Sequence, residues 1–171
     1  MQTYQNKSFN SFQETLLKGE AGEAAFQNYC KSKNIPLLDV RKDEAYQKLD
    51  VDFVTNKGTR VEIKTEYSYG KYSKDKQRFY VEDISSQRIN SDGWYRYCAA
   101  DILVDFDAIN SIQYMFKLQD LKEYINLFYE VDKAKVDYCK LKYGSCGFLV
   151  YILPFFQWLN DNGKYNQIIK Q

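Results

Sequence analysis

Lys48-Leu49-Asp50-Val51-Asp52-Phe53-Val54-Thr55, then Asn56-Lys57-Gly58, then Thr59-Arg60-Val61-Glu62-Ile63-Lys64-Thr65, is the stretch on which the reading of this 171-residue chain turns. Side chains along a strand alternate between faces. Leu49, Val51 and Phe53 therefore share one face, opposite Asp50, Asp52 and Val54, and in the second run Val61 and Ile63 oppose Glu62 and Lys64. A three-residue loop at Asn56-Lys57-Gly58, with Gly58 in the left-handed conformation such loops favour, sets Thr55 across from Thr59. Counting back, Asp52 faces Glu62 and Asp50 faces Lys64. Cross-strand partners project to one side with β-carbons about 5 Å apart. One register thus delivers carboxylates and an ammonium to a single spot.

Phosphodiester hydrolysis has a use for each group. A hard cation polarises the phosphoryl oxygen and lowers the pKa of the attacking water, and Mg²⁺ is held by one or two carboxylates plus waters. Asp52 and Glu62 are the candidate ligands, with the Ile63 carbonyl as a third. Lys64, a compact point charge beside them, is a candidate for orienting the water and neutralising developing negative charge. The Glu-x-Lys string alone says little in a chain that is 27% charged, because the solvent face of an edge hairpin reads the same way.

Upstream, residues 10–33 read as one helix, with Ser8 or Asn10 as N-cap and Asn34-Ile35-Pro36 as terminator. Its stripe is Phe12, Leu16, Gly19, Glu23, Phe26 and Cys30. Glu23 interrupts an otherwise apolar face, and a carboxylate facing a core is costly unless it is paired or holds a metal. Gly19 and Gly22 each lower helix propensity by about 1 kcal/mol relative to Ala. Their presence implies close approach of a sheet or a phosphate backbone.

The helix with Gly19-Glu20-Ala21-Gly22-Glu23, a strand, the Asp-x-Phe run at Asp52, and Val61-Glu62-Ile63-Lys64-Thr65 together resemble the PD-(D/E)XK nuclease superfamily, with spacing similar to its Holliday-junction-resolvase-like branch. The resemblance covers about residues 10–105. It implies a restriction-endonuclease-like α/β fold, with a mixed central sheet flanked by helices, an αβββαβ core and a C-terminal structural extension over about 106–171. It also implies Asp52 and Glu62 as Mg²⁺ ligands, Lys64 as the catalytic lysine and a first-helix glutamate, best matched by Glu23, completing the site. Ile63 joins the metal set through its carbonyl, and Mn²⁺ is the alternative ion. Val51 stands where the motif's proline is found in the superfamily.

Beyond Lys64, residues 66–78 mix basic and aromatic side chains without hydrophobic periodicity. Lys71, Lys74, Lys76 and Arg78 are candidate phosphate contacts, and Tyr69 or Tyr72 candidates for stacking on a base or sugar. Phe79 to Ile84 reads as a strand, with Glu82 a candidate accessory acid. Gly93-Trp94-Tyr95 reads as a turn or short helix leading into a buried strand near Ile102 to Phe106. Gln87 and Arg88, in the loop between these strands, are further candidates for reaching nucleic acid. The rest reads as structural: a strand over Ile112 to Lys117, a helix from Leu118 to Phe128, a strand from Gly147 to Leu153 ended by Pro154, and a last helix from Phe155 to near Asn162-Gly163. The basic run from Lys133 to Tyr143 reads as a wet surface.

Composition narrows the chemistry. With 24 basic and 23 acidic residues there is no global electrostatic footprint for nucleic acid, so DNA binding needs a local patch. The absence of histidine excludes imidazole acid–base chemistry, a Ser-His-Asp triad and His-bound zinc. The four cysteines, Cys30, Cys98, Cys139 and Cys146, contain no C-x-x-C pair and do not match a compact iron–sulfur ligand run. The longest apolar run, near Phe148 to Phe156, is too short for a bilayer, and free thiols suit a reducing cytoplasm. The expectation is a single-domain, cytoplasmic, Mg²⁺-dependent DNA endonuclease, with RNA left open as substrate, no membrane partner and a homodimer left open. The alternative is a non-catalytic module binding nucleic acid or protein on the same scaffold.

Overall fold

The computed structural model describes residues 19–67, 69, 73, 76–141 and 144–170. Helix α1 (residues 19–32) precedes β1 (Leu37–Asp39), α2 (Glu44–Gln47), β2 (Phe53–Thr55), β3 (Arg60–Glu66), β4 (Arg78–Ser86), β5 (Ser91–Asp92), α3 (Trp94–Tyr97) and β6 (Ile102–Asp107). Then come β7 (Ile112–Lys117), α4 (Leu118–Phe128), β8 (Val136–Lys140), β9 (Cys146–Tyr151), α5 (Ile152–Asp161) and β10 (Asn166–Lys170). The central sheet has six strands in the order β1-β2-β3-β6-β7-β10, and a second sheet has four in the order β5-β4-β9-β8. The central sheet is mixed: β3 and β6 run parallel and the other neighbours antiparallel.

Alternation sorts the central sheet into two faces. Val61, Ile63, Val104 and Met115 meet Phe26 and Cys30 of α1, together with Phe53 of β2. On the other face Leu103, Tyr114 and Phe116 join a larger core. That core includes Leu121, Tyr124 and Ile125 of α4, Phe155 and Phe156 of α5, and Phe79, Val81, Phe148 and Val150 of the second sheet. The layers are thus α1, the central sheet, and then α4, α5 and the second sheet together. Residues after Asp107 complete both sheets, β7 and β10 in the first and β8 and β9 in the second.

Helix α1 ends as its sequence indicates, with Asn34 in the left-handed conformation at φ 53° and the Ile35 N–H on the Cys30 carbonyl at 2.8 Å. Gly22 explains the helix's tolerance of glycine. A β-carbon there would meet Thr65 Oγ1 at 2.3 Å, Ile63 Cγ2 at 3.1 Å and Phe106 Cβ at 3.2 Å. Gly22→Ala is therefore expected to destabilise the protein by about 1–3 kcal/mol through overpacking, read as a lowered urea midpoint. At Gly19 no described residue lies within 4 Å of a β-carbon, and alanine is expected to be accepted there.

Three boundaries differ from the sequence expectation. The run from Lys48 does not start a strand: Lys48, Leu49 and Asp50 form a turn after α2, with Asp50 at φ 52°, and β2 begins only at Phe53. The positive φ breaks the alternation, so Leu49 is exposed while Val51 is buried. Pro154 does not end the strand from within it. Helix α5 starts at Ile152, placing Pro154 in its first turn, where a missing N–H costs nothing. The basic run from Lys133 contains β8, an edge strand whose Val136 packs into the core. Its alternation is masked in the sequence by the charged side chains on its outer face.

Candidate active site

The β2–β3 hairpin takes the register its loop dictates. Phe53 pairs with Val61, Val54 with Arg60, and the Thr55 N–H reaches the Thr59 carbonyl at 2.9 Å. Gly58 sits at φ 79°, the left-handed residue of the loop. Past Phe53 the chain leaves the sheet but stays beside β3. Asp52 donates its N–H to the Val61 carbonyl at 2.9 Å and accepts the Ile63 N–H on its carboxylate at 2.8 Å. Asp52 thereby brackets Glu62 from the edge of β3. The N–H and C=O of an extended residue point to the same side, so the Ile63 carbonyl faces the same edge.

Lys64 is the centre of the cluster. Its Nζ lies 2.7 Å from Asp50 Oδ2 and 2.5 Å from Glu62 Oε1, and 5.1 Å from the centroid of the Trp94 ring. The turn at Lys48–Asp50 is pinned from behind, with the Ala99 N–H on the Leu49 carbonyl at 2.9 Å and the Cys98 thiol on the Asp50 carbonyl at 3.3 Å. Glu82 of β4 looks onto the same spot: its carboxyl is pushed up by burial, held back by Lys64 and raised further by Asp50.

The charges are strongly coupled. Burial raises Asp52 to about 6; the Ile63 N–H opposes this and the charge of Glu23 adds to it. Glu62, almost fully buried, is raised well above the carboxylate range by desolvation, with Lys64 opposing and Asp52 and Asp50 adding. Burial alone would weaken the Lys64 ammonium, but Glu62 and Asp50 outweigh it and hold its pKa well above that of a free lysine. Lys64 is therefore an ammonium at neutral pH. In that state it can hold and neutralise an anion.

Glu23 is turned to a different partner. Its carboxylate makes an ion pair with Arg41, which also binds Asp39 and lies 5.1 Å over the Phe53 ring. Glu23 still raises the Asp52 pKa, so it lies within electrostatic reach of the cluster. Among the described residues, no three acidic or thiol side chains form a ready-made metal cage. The donors at the β3 edge nonetheless suit a hard cation: Asp52, Glu62 and the Ile63 carbonyl offer only oxygen. Both acids are raised chiefly by burial, with neighbouring carboxylates adding, and a coordinated divalent ion would favour their charged forms.

The nucleic-acid candidates do not gather in one place. Lys71 and Lys74 lie outside the described residues. Lys76 is exposed just before β4, and Arg78, the first residue of β4, donates to the Tyr151 hydroxyl at 3.2 Å with its guanidinium 5.7 Å from that ring. Gln87 and Arg88 are exposed in the turn beyond the other end of β4, where Gln87 Nε2 meets Cys146 Sγ at 3.0 Å. A nine-residue strand spans about 30 Å, so Arg78 and Gln87 mark opposite ends of a long surface. Tyr69 is no stacking residue: it is fully buried, and its hydroxyl donates to Asp105, a buried carboxyl whose other oxygen lacks a partner.

Sequence reasoning missed Arg41 and Trp94 as parts of the site. Arg41 has a local signal, an acid two residues earlier on the same strand edge, but nothing there names Glu23 as its distant partner. Trp94 stands out as a Gly-Trp pair, and Gly93 is needed there because a β-carbon would meet the Glu82 carbonyl oxygen at 2.3 Å.

No family model and no curated protein matches the sequence. Among solved structures, a bacterial homing endonuclease, I-Ssp6803I, is similar over 64% of this chain and 73% of its own, at 19% sequence identity and a TM-score of 0.46. No helix among the described residues is long and apolar enough to cross a membrane.

Proposed function

We propose that this chain, as one nuclease-like domain, is a Mg²⁺-dependent endonuclease of the PD-(D/E)XK type that cleaves DNA, with Mn²⁺ able to replace Mg²⁺. The observation that carries this reading is the convergence of Asp52, Glu62 and the Lys64 ammonium at the edge of β3. Asp52, Glu62 and the Ile63 carbonyl would hold the ion, with Glu23 able to join on release from Arg41. When bound, the ion would polarise the phosphoryl oxygen and lower the pKa of the attacking water.

The chain's own groups have separable tasks. Lys64 stabilises the negative charge that develops on the phosphoryl oxygens. Lys64 has two acidic partners, so Asp50 would keep it in place if Glu62 turned toward a cation. Trp94 closes the far side and limits water around the ammonium. The free thiols fit a reducing cytoplasm.

A second reading, a binding module without catalysis, is favoured by one observation: Glu62 and Glu23 are each already paired with a cation. The two readings separate in one experiment. Labelled single-stranded, duplex and branched DNAs are incubated with the protein in Mg²⁺, Mn²⁺ or EDTA, while calorimetry follows Mg²⁺ binding. Cutting confined to the metal arms supports the nuclease. Intact DNA together with no Mg²⁺ binding overturns the nuclease reading and favours the binding module.

A further inference from the structure

Where β3 and β6 begin and β7 runs into α4, the surface opens into a cleft of about 730 Å³ bordered by Arg60, Cys98, Asp101, Lys117, Lys122 and Tyr165. Its charge balance is distinctive. Arg60 grips Asp101 with Nη2 to Oδ1 at 2.9 Å and Nε to Oδ2 at 3.2 Å, so these two cancel. Lys117 is exposed on the rim and Lys122 lies 5.6 Å over the Tyr95 ring, and among the described residues neither has a carboxylate within ion-pair distance. The remaining acid of the α4 first turn, Asp120, is engaged by Lys164 at 3.0 Å. Two uncompensated ammonium groups thus border one concave surface.

The backbone adds to this. Helix α4 has 11 residues and starts at the cleft, with Lys117 at its N-cap and no side chain capping it. Among the described residues, the Leu118 N–H is the one first-turn donor with a backbone acceptor outside the helix, the Asp101 carbonyl at 3.2 Å. The positive end of the helix therefore adds to the two lysines. Tyr165, more than a third exposed, supplies an aromatic wall.

The cleft adjoins the β3 cluster. Arg60 precedes Glu62 by two residues on the same face of β3, about 7 Å along the strand, and the Cys98 that walls the cleft donates its thiol to the Asp50 carbonyl. A nucleic-acid strand engaged at Glu62 and Lys64 could reach it over that distance. We infer that this cleft holds a backbone phosphate of the bound DNA adjacent to the one being cleaved, with Lys117, Lys122 and the α4 N-terminus as its contacts and Tyr165 against the neighbouring sugar or base. The inference rests on the nuclease reading and extends it to a second phosphate subsite.

The test uses the full chain carrying Asp52→Asn, in EDTA, so that binding is measured without cutting. Fluorescence anisotropy with a labelled duplex is recorded across a salt series for this background, for the same chain with Lys117→Ala and Lys122→Ala, and for a control with Lys133→Ala and Lys140→Ala. The cleft variant is expected to bind about tenfold more weakly or worse and to lose about 1–2 from the slope of log affinity against log salt, while the control changes less than about twofold. Lys117→Gln alone, at an exposed side chain with no ion pair, should weaken binding about threefold and guards against misfolding of the double variant. Equal affinities in all chains overturn the subsite and leave the nuclease reading standing, as does an equal loss in the control, which would report net charge only. A background chain that binds no duplex at all overturns the subsite, while the nuclease reading is judged separately by metal-dependent cutting in the parent chain.

Discussion

Asp52→Asn is expected to abolish metal-dependent cleavage and, at the same time, to make the metal-free protein more stable above pH 6. The two effects share a cause. Asp52 is a carboxylate held where burial and the charge of Glu23 oppose its ionisation, lifting its pKa from 3.8 to about 6. An acid whose pKa is raised by folding contributes its full stability only below the unfolded value. As pH rises from about 4 to above 6 the unfolded chain gives up its proton first, and the folded state loses about 2–3 kcal/mol relative to it. Asparagine avoids that loss: its carbonyl still accepts the Ile63 N–H, and its amide can donate toward Glu62. Urea titrations should show the variant about 2 kcal/mol more stable than the parent at pH 8 and little different at pH 4. Saturating Mg²⁺ should stabilise the parent and leave the variant unmoved. A variant that still cuts at the parental rate would remove Asp52 from the reaction.

Lys64→Ala should lower the single-turnover cleavage rate by about 10²–10³ or more, the scale for losing a preorganised charge at a developing oxyanion. Lys64→Arg should not restore it, because a planar guanidinium cannot occupy the pocket between Asp50, Glu62 and Trp94 with the same point charge. The fold is expected to survive. Without the ammonium, Glu62 loses the neighbour that opposes the effect of burial on its carboxyl, so its protonated form is favoured further and the buried charge is avoided at lower pH. The stability cost should therefore be smaller at pH 5 than at pH 8, about 1 kcal/mol against about 3. Thermal melts at the two pH values check the structural part and quenched-flow cleavage the chemical part. An unchanged rate would overturn the assignment of Lys64.

The cluster was legible in the sequence because it is local. A three-residue loop with Gly58 sets the hairpin register, and the register sets which charged residues meet. That Asp50 lies opposite Lys64 follows from counting alone, whereas the ion pair of Lys64 with Glu62 emerges only in the structure. What counting could not supply is how Asp50 gets there, since its left-handed turn after α2 replaces the expected strand and depends on contacts from Cys98 and Ala99. Glu23 shows the same limit. Its interruption of the apolar stripe was visible, and so was its need for a partner, but Arg41 reaches it through tertiary packing. The central sheet's mixed character and its flanking helices were expected, whereas the second sheet was not, because β8 is short, charged on its outer side and at an edge. Helix α4 was readable to its ends, since Leu118, Leu121, Tyr124, Ile125 and Phe128 keep an unbroken apolar spacing.

The pairing of β4 with β9 has a consequence for the order of assembly. Val81 lies beside Phe148, and the strand that carries Glu82 and backs Gly93 and Trp94 has only the two-residue β5 on its other side. Such distant pairings form late, because the loop they close must be ordered first. During synthesis α1, β2 and β3 can collapse early and bring Asp52, Glu62 and Lys64 near one another, yet the Trp94 wall over the ammonium waits for residues 146–151 to emerge. A nascent chain would therefore hold its acidic residues together for some time before the site closes around them.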